Sequence, residues 1–313
     1  MNATAKYQTA ADVFDAWRDA LFSGAAPPLY AVGTGALATV ELGPGRVVLV
    51  GGLPGGGKTA LAMQWVTDAL RAVPTLRAVV ANVEMSAAVL LDRQLARLSG
   101  VPLDAIAKRK LGAEHADRID RGLATLESVA ERLAFVAPPF DLGNIAATAD
   151  DFGGSLLLLD YVQRIRPPGE HADKRGSVDA LMDYLRQFAD AGCAVLAVSA
   201  VARTKDKRGR SSYVGDGLGL ASFRESSELE YGADTAYVLV AGRDDPEAVI
   251  LRCLKHRHGE PVDISLRFER RIQSFRPTEP GPATPADRGK LTASLRALWG
   301  STPAAADDDG GDE

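Results

Sequence analysis

The sequence predicts an α/β fold: a mostly parallel sheet with helices on both faces and an antiparallel edge. Three observations carry that prediction. Short apolar runs alternate with helical patterns from Arg46 onward. Most of those runs are apolar throughout, as strands buried on both faces are. The last runs are joined tightly, by turn signals such as His258-Gly259-Glu260-Pro261, which suits strands that reverse at an edge.

Taken in order, residues 1–28 form a helical arm. Val13, Phe14, Trp17 and Leu21 recur at helical spacing, and Pro27-Pro28 ends the pattern. Such a stripe suits packing on the chain's own core or on a neighbouring subunit. Strand-like runs follow at 46–51, 77–83, 133–137, 155–160, 193–199, 235–240, 248–254 and 263–268. Helical periodicity fills 58–72, 86–98, 117–131 and 177–191. Residues 29–278 therefore read as one α/β domain. From 279 to 313 the composition turns to Pro, Ala, Gly and Asp, which predicts an acidic, disordered tail.

The 313 residues carry a net charge of -5. Asp307, Asp308, Asp309, Asp312 and Glu313 hold that whole excess, so the body is neutral and local patches decide what it binds. Runs such as Leu156–Leu159 are too short to span a bilayer. Asp12, Asp15 and Asp19 break any signal-peptide pattern, so a cytoplasmic location without membrane contact is expected. Cys193 and Cys253 both sit in apolar runs and read as buried free thiols. His256 and His258 share a strand face without the further ligands a metal needs.

The sharpest signal is Gly52-Leu53-Pro54-Gly55-Gly56-Gly57-Lys58-Thr59, the G-x-x-x-x-G-K-[ST] pattern, with a strand before it and a helix after it. Glycines let the backbone curl until successive N–H groups point at phosphates. The helix N-terminus adds its positive dipole end. Gly52, Gly55, Gly56, Gly57, Lys58, Thr59 and Ala60 are thus the expected ATP contacts. Lys58 bridges the outer phosphates and the Thr59 hydroxyl ligates Mg2+. Leu156–Leu159 followed by Asp160 is an apolar strand ending in a carboxylate, which suits the outer shell of that magnesium and a RecA-type core. Glu84 ends the strand after the loop's helix, where a carboxylate orients the attacking water as general base.

These pieces and others occur together in order. Gly52–Thr59, Val83-Glu84-Met85-Ser86, Leu159-Asp160-Tyr161-Val162-Gln163 and Val198-Ser199 are followed by Arg203. Phe223-Arg224-Glu225-Ser226, Ala233-Asp234 and Lys255-His256-Arg257-His258-Gly259 come next. The set resembles the C-terminal, RecA-like P-loop ATPase domain of DnaB-type hexameric replicative helicases over about residues 30–276. Nothing in the chain corresponds to that family's separate N-terminal, primase-interacting domain. The resemblance implies a ring of six subunits, ATP held between neighbours and 5′-to-3′ movement along single-stranded DNA. A loader or primase is the further partner it implies. It also implies catalytic roles for Lys58, Glu84, Lys255 and Arg257, the last two reaching into the next subunit's site. A planar guanidinium at the charged, exposed end of the strand Val249–His256 suits that task. DNA contact falls on Arg203, Lys205, Lys207, Arg208 and Arg210, five bases against Asp206, with Arg224 and Glu225 matching the family's channel segment.

Two positions depart from the pattern. Ala200 stands where the family carries a Gln that senses the γ-phosphate, and Ser227 where it carries a Gly. Both point to a divergent plasmid- or phage-like or accessory member with weaker coupling of hydrolysis to DNA movement. The competing reading is a RecA-like DNA-binding ATPase, a recombination or regulatory ring, that does not translocate. A module that holds ATP without turnover is disfavoured by the intact Glu84, Asp160 and Arg257.

Overall fold

A computed structural model describes residues 7, 9–24, 27–169, 174–201, 204–205, 211–212, 232–242 and 245–278. The expected acidic tail, 279–313, lies outside them.

Nine strands form one sheet. From one edge they run β11 (Ser274–Pro277), β10 (Ile264–Glu269), β9 (Ala248–His256), β8 (Thr235–Ala241) and β1 (Val47–Gly52). Then come β5 (Ala194–Ala200), β4 (Leu156–Asp160), β2 (Ala78–Asn82) and β3 (Leu133–Phe135). Strands β8, β1, β5, β4, β2 and β3 are parallel, and β9, β10 and β11 turn antiparallel. Every residue of β1, β2 and β4 is buried. Their uninterrupted Val, Leu and Ala content follows from helices covering both faces. The sequence-based strands fall on these elements to within a residue or two, but β11 had no separate signal, because Ser274-Phe275-Arg276 is too short and polar a run.

One apolar layer joins the sheet to α2 (Lys58–Ala72), with Trp65 fully buried and set edge-on to Tyr237 at 6.1 Å. The opposite layer is covered by α6 (Leu142–Phe152) and α7 (Lys174–Asp190). Helix α6 was not anticipated. Its apolar face is short, Leu142, Ile145, Ala149 and Phe152, and its clearest signals are the caps. Asp141 accepts from the N–H of Asn144, and Gly153 closes the last turn in the left-handed region. Helices α3 (Ala87–Ser99), α4 (Leu103–Ala107) and α5 (Ala116–Ala130) pack into a small cluster around Val101 and Ile106.

The arm is α1 (Ala10–Ser23), capped by Thr9 through a reciprocal pairing with Asp12. It stops before the expected prolines because Gly24 takes φ +67 at no steric cost. None of its residues is buried, and Phe14, Trp17 and Phe22 stand in solvent. Cys193 and Cys253 are free thiols; Cys253 is buried in β9, whereas Cys193 lies only partly buried just before β5. His256 and His258 diverge, one toward Glu41 at 3.9 Å and the other toward Asp234 at 3.8 Å. Among the described residues, no helix is long and apolar enough to cross a membrane.

Candidate nucleotide site

Strand β1 delivers the chain to Gly52 at the carboxyl end of the sheet, and the loop Leu53–Gly57 turns it into α2. Gly55 (φ +73) and Gly57 (φ +92) occupy a region that L side chains rarely adopt. A Cβ on Gly57 would also lie 2.7 Å from both Phe268 and Phe275. Those two rings stack at 4.1 Å and form the wall against which the loop is pressed. Arg270 lies over Phe268 at 4.9 Å and donates to the Gly55 carbonyl at 2.9 Å. The antiparallel edge therefore shapes the loop from behind.

Lys58 is 5% exposed, and its ammonium donates to the carbonyls of Gly52 and Leu53, each at 2.9 Å. Burial lowers its pKa, opposed by the nearby Asp160 and Glu84 carboxylates. One helical position on, the Thr59 hydroxyl donates to Asp160 Oδ2 at 2.6 Å. Strand pairing sets this meeting. Asp160 is the register partner of Asn82 on the adjacent strand, and Asn82 Nδ2 donates to the same oxygen at 2.8 Å.

Asn82 has a second role. Its Oδ1 accepts from the backbone N–H of Glu84 (3.0 Å) and Met85 (2.7 Å), folding the turn that carries Glu84 into the cleft. Glu84 there faces Lys58, Thr59, Arg93 and Tyr161. Burial first, then a hydrogen bond to Glu84, pushes the Tyr161 hydroxyl up to about 12.

Asp160 is 1% exposed, and its other oxygen, Oδ1, is buried without a hydrogen-bond partner. Burial raises its pKa to about 6, against the Thr59 bond and the Lys58 charge. An orphaned carboxylate oxygen beside a hydroxyl is a donor set suited to a hard divalent cation. The glycine cradle and the buried ammonium suit a polyphosphate. The residues present therefore fit ATP and Mg2+.

At the neighbouring strand end, Ala200 pairs in register with Gly52. Its methyl offers no hydrogen bond. Gln163 occupies the polar groups around it: Nε2 donates to Ser199 Oγ at 2.7 Å and Oε1 accepts from Ala200 N at 3.3 Å.

Arg257 and Lys255 are elsewhere. Lys255 is paired with Ala236 near the start of β8, and Arg257 follows the end of β9. The Arg257 Nη1 donates to Asp234 Oδ1 at 2.8 Å, and Asp234 Oδ2 accepts from the N–H of Val47 at 2.8 Å. Val47 begins β1, so Arg257 lies at the opposite end of that strand from the cradle, about 16 Å away at the usual rise per residue. It does not line its own subunit's cleft.

Of the expected DNA contacts, Arg203, Lys207, Arg208, Arg210, Arg224 and Glu225 lie outside the described residues, as does Ser227. Lys205 falls in a two-residue strand, β6 (Thr204–Lys205), paired antiparallel with β7 (Ser211–Ser212). Six residues of the cleft had no assigned role in the sequence: Met85, Arg93, Tyr161, Phe268, Arg270 and Gln273. Tyr161 was within reach as the neighbour of Asp160. Arg93 sits one helical turn and more into α3, and only the fold brings it to the phosphate end.

Comparison with known proteins agrees with this fold. Residues 37–277 match the model of the DnaB-like helicase C-terminal domain. A probable plasmid replicative DNA helicase of Chlamydia trachomatis is 23% identical over 244 residues, covering 75% of this chain and 51% of that protein. Its counterpart in serovar L2 gives the same figures. The chain thus spans about half the length of the curated relatives it matches. Among solved structures, an ATPase domain superposes with a TM-score of 0.72 at 17% identity, covering 86% of this chain and 99% of that one. A DnaB-like replicative helicase, solved for its interactions with primase, gives 0.70 at 18%, covering 84% and 66%.

Proposed function

The chain belongs to the DnaB-like helicase C-terminal domain family, and from that premise we propose that it is an ATP-driven DNA helicase motor acting in replication. In this reading it is a cytoplasmic ring of six subunits that moves 5′ to 3′ along single-stranded DNA. The observation that carries the reading is the meeting of Lys58, Thr59, Glu84 and Asp160 in one cleft at the carboxyl end of a parallel sheet.

Each side chain has a task there. Backbone N–H groups from Gly55 to Ala60, with the Lys58 ammonium, hold the triphosphate of ATP. Thr59 and Asp160 are the residues to hold magnesium, which when bound offsets charge on the outer phosphates. Glu84 orients a water and takes its proton. Arg257, with Lys255, supplies cationic charge to the γ-phosphate of the next subunit, since it sits at the far end of β1 from its own cradle. Arg203, Lys205, Lys207, Arg208, Arg210, Arg224 and Glu225 form the path for single-stranded DNA, and a loader or primase is the further partner. The exposed stripe of α1 is a surface for assembly, because Phe14, Trp17 and Phe22 are otherwise left in water. It forms the arm 1–28 beside the motor domain 29–278, and 279–313 is an acidic tail.

One observation favours the second reading, a ring that binds DNA and hydrolyses ATP without translocating. Ala200 places a methyl where a side chain that senses phosphate would couple the two events. The experiment is ATP turnover with and without single-stranded DNA. Stimulated turnover that Lys58→Ala removes supports the site; turnover that survives Lys58→Ala refutes it.

A further inference from the structure

The carboxylate of Asp234 is used more fully than a surface ion pair requires. It is 2% exposed, at the start of β8. Oδ2 accepts from the Val47 N–H at 2.8 Å and from Arg186 Nη1 of α7 at 2.7 Å. Oδ1 accepts from Arg257 Nη1 at 2.8 Å. The backbone of the same residue reaches the same target, its carbonyl accepting from the Arg257 N–H at 2.8 Å. Arg186 is itself fixed through Nη2 to the Gly45 carbonyl at 2.6 Å. Main chain and side chain of Arg257 are thus both tied to one residue, which is in turn tied to the first residue of β1.

The geometry has a consequence. A guanidinium presents donors on several edges, and a carboxylate on one edge sets the plane in which the rest project. The Arg257 side chain is 44% exposed and that of Asp234 3% exposed, so a buried carboxylate holds a partly exposed guanidinium. A long arginine on a turn otherwise spreads over many rotamers, and holding it in advance removes that entropy from the transition state.

We infer that Asp234 is a positioning residue for the neighbouring subunit's ATP site: it holds Arg257 in the orientation from which that guanidinium reaches across the interface. This rests on the proposed role of Arg257 in trans. Asp234 also accepts from the N–H of Val47, the first residue of β1, at the opposite end of that strand from the cradle.

The test uses the full chain and four variants, Asp234→Asn, Arg257→Ala, Lys58→Ala and Arg186→Ala. Asp234→Asn alone is expected to lower kcat for ATP by about tenfold to a hundredfold, the usual cost of losing an orienting partner. Affinity for a fluorescent nucleotide is expected to stay within about twofold, because the cradle is untouched. Mixing is the decisive arm. Asp234→Asn subunits keep a sound cradle and lend a poorly set arginine, whereas Lys58→Ala subunits have a dead cradle and lend a sound one. Mixed assemblies are therefore expected to turn over ATP faster than either variant alone. Arg257→Ala mixed with Lys58→Ala should behave the same way.

If the Arg257→Ala mixture gains nothing, the trans role of Arg257 is wrong. If that mixture gains and the Asp234→Asn mixture does not, the trans role stands and the inference about Asp234 is overturned. Arg186→Ala removes the other cation from Asp234 and leaves Arg257 on its anchor. A loss of kcat and nucleotide affinity there equal to that of Asp234→Asn would mark Asp234 as merely structural and overturn the inference.

Discussion

At the residue scale, Asp160 carries two demands that conflict. Ionised, it suits a metal; buried, it resists ionisation. Its pKa of about 6 against an ordinary value of 3.8 means the folded state binds the proton more tightly than the unfolded chain. The stability this gives is fully present below about pH 4 and is lost as pH rises through about 6. Two outcomes follow. Asp160→Asn raises the melting temperature of the nucleotide-free protein at pH 7.5 by several degrees while removing ATP turnover, in thermal scans run beside turnover assays. Magnesium-dependent nucleotide binding by the wild type weakens as pH falls through about 6, because proton and cation compete for one carboxylate; a flat profile between pH 5 and 7 would contradict the assignment. For Glu84→Gln, kcat is expected to fall by about 10²- to 10⁴-fold with nucleotide affinity kept, read from single-turnover and binding measurements. Lys58, Thr59, Glu84 and Asp160 were legible because each sits at a fixed offset from a strand end or a glycine run. Arg93, Arg270 and Gln273 were not, since their place in the cleft depends on α3 and the sheet edge folding over the loop.

At the scale of elements, the antiparallel edge has a task the sequence did not disclose. The 263–268 run reads as an ordinary edge strand. In the structure Phe268 and Phe275 stack directly behind Gly57, and Arg270 grips Gly55. The partner strand β11 was missed because four residues with two apolar side chains carry no period. Gln64 of α2 confirms the tie, exchanging two hydrogen bonds of 2.9 Å with the backbone of Phe275. Phe268→Ala should cost about 3–5 kcal/mol in chemical denaturation, the usual range for a buried Phe, and should weaken nucleotide binding as the loop loses its wall. Gly57→Ala should leave the far sheet intact by circular dichroism yet abolish nucleotide binding, since it adds both a strained φ and two contacts of 2.7 Å. Helix α6 shows the complementary case: its apolar face is only four side chains long, and its caps are the clearer signal.

At the scale of the whole molecule, the proposed function gives one chain two half-sites at opposite ends of β1. The cradle lies at Gly52 and Arg257 lies beside Val47. Such a chain is expected to work only in company. Specific ATP turnover should therefore fall on dilution, and sedimentation should show assembly lost over the same concentration range. Fold class was readable from buried apolar runs, which report layers faithfully; the strand order was not, because it depends on which crossovers the helices make. The assembly was not readable in that way. Both α1 and Arg257 are exposed at the surface, where a single sequence records exposure and no partner.

The most direct measurement is strand displacement on forked DNA bearing either a 5′ or a 3′ single-stranded tail, with ATP and magnesium. Displacement is expected from the 5′-tailed fork, dependent on hydrolysis and absent in Lys58→Ala. Turnover stimulated by single-stranded DNA with no displacement from either fork would contradict it, and would make this a ring that spends ATP without moving along its strand.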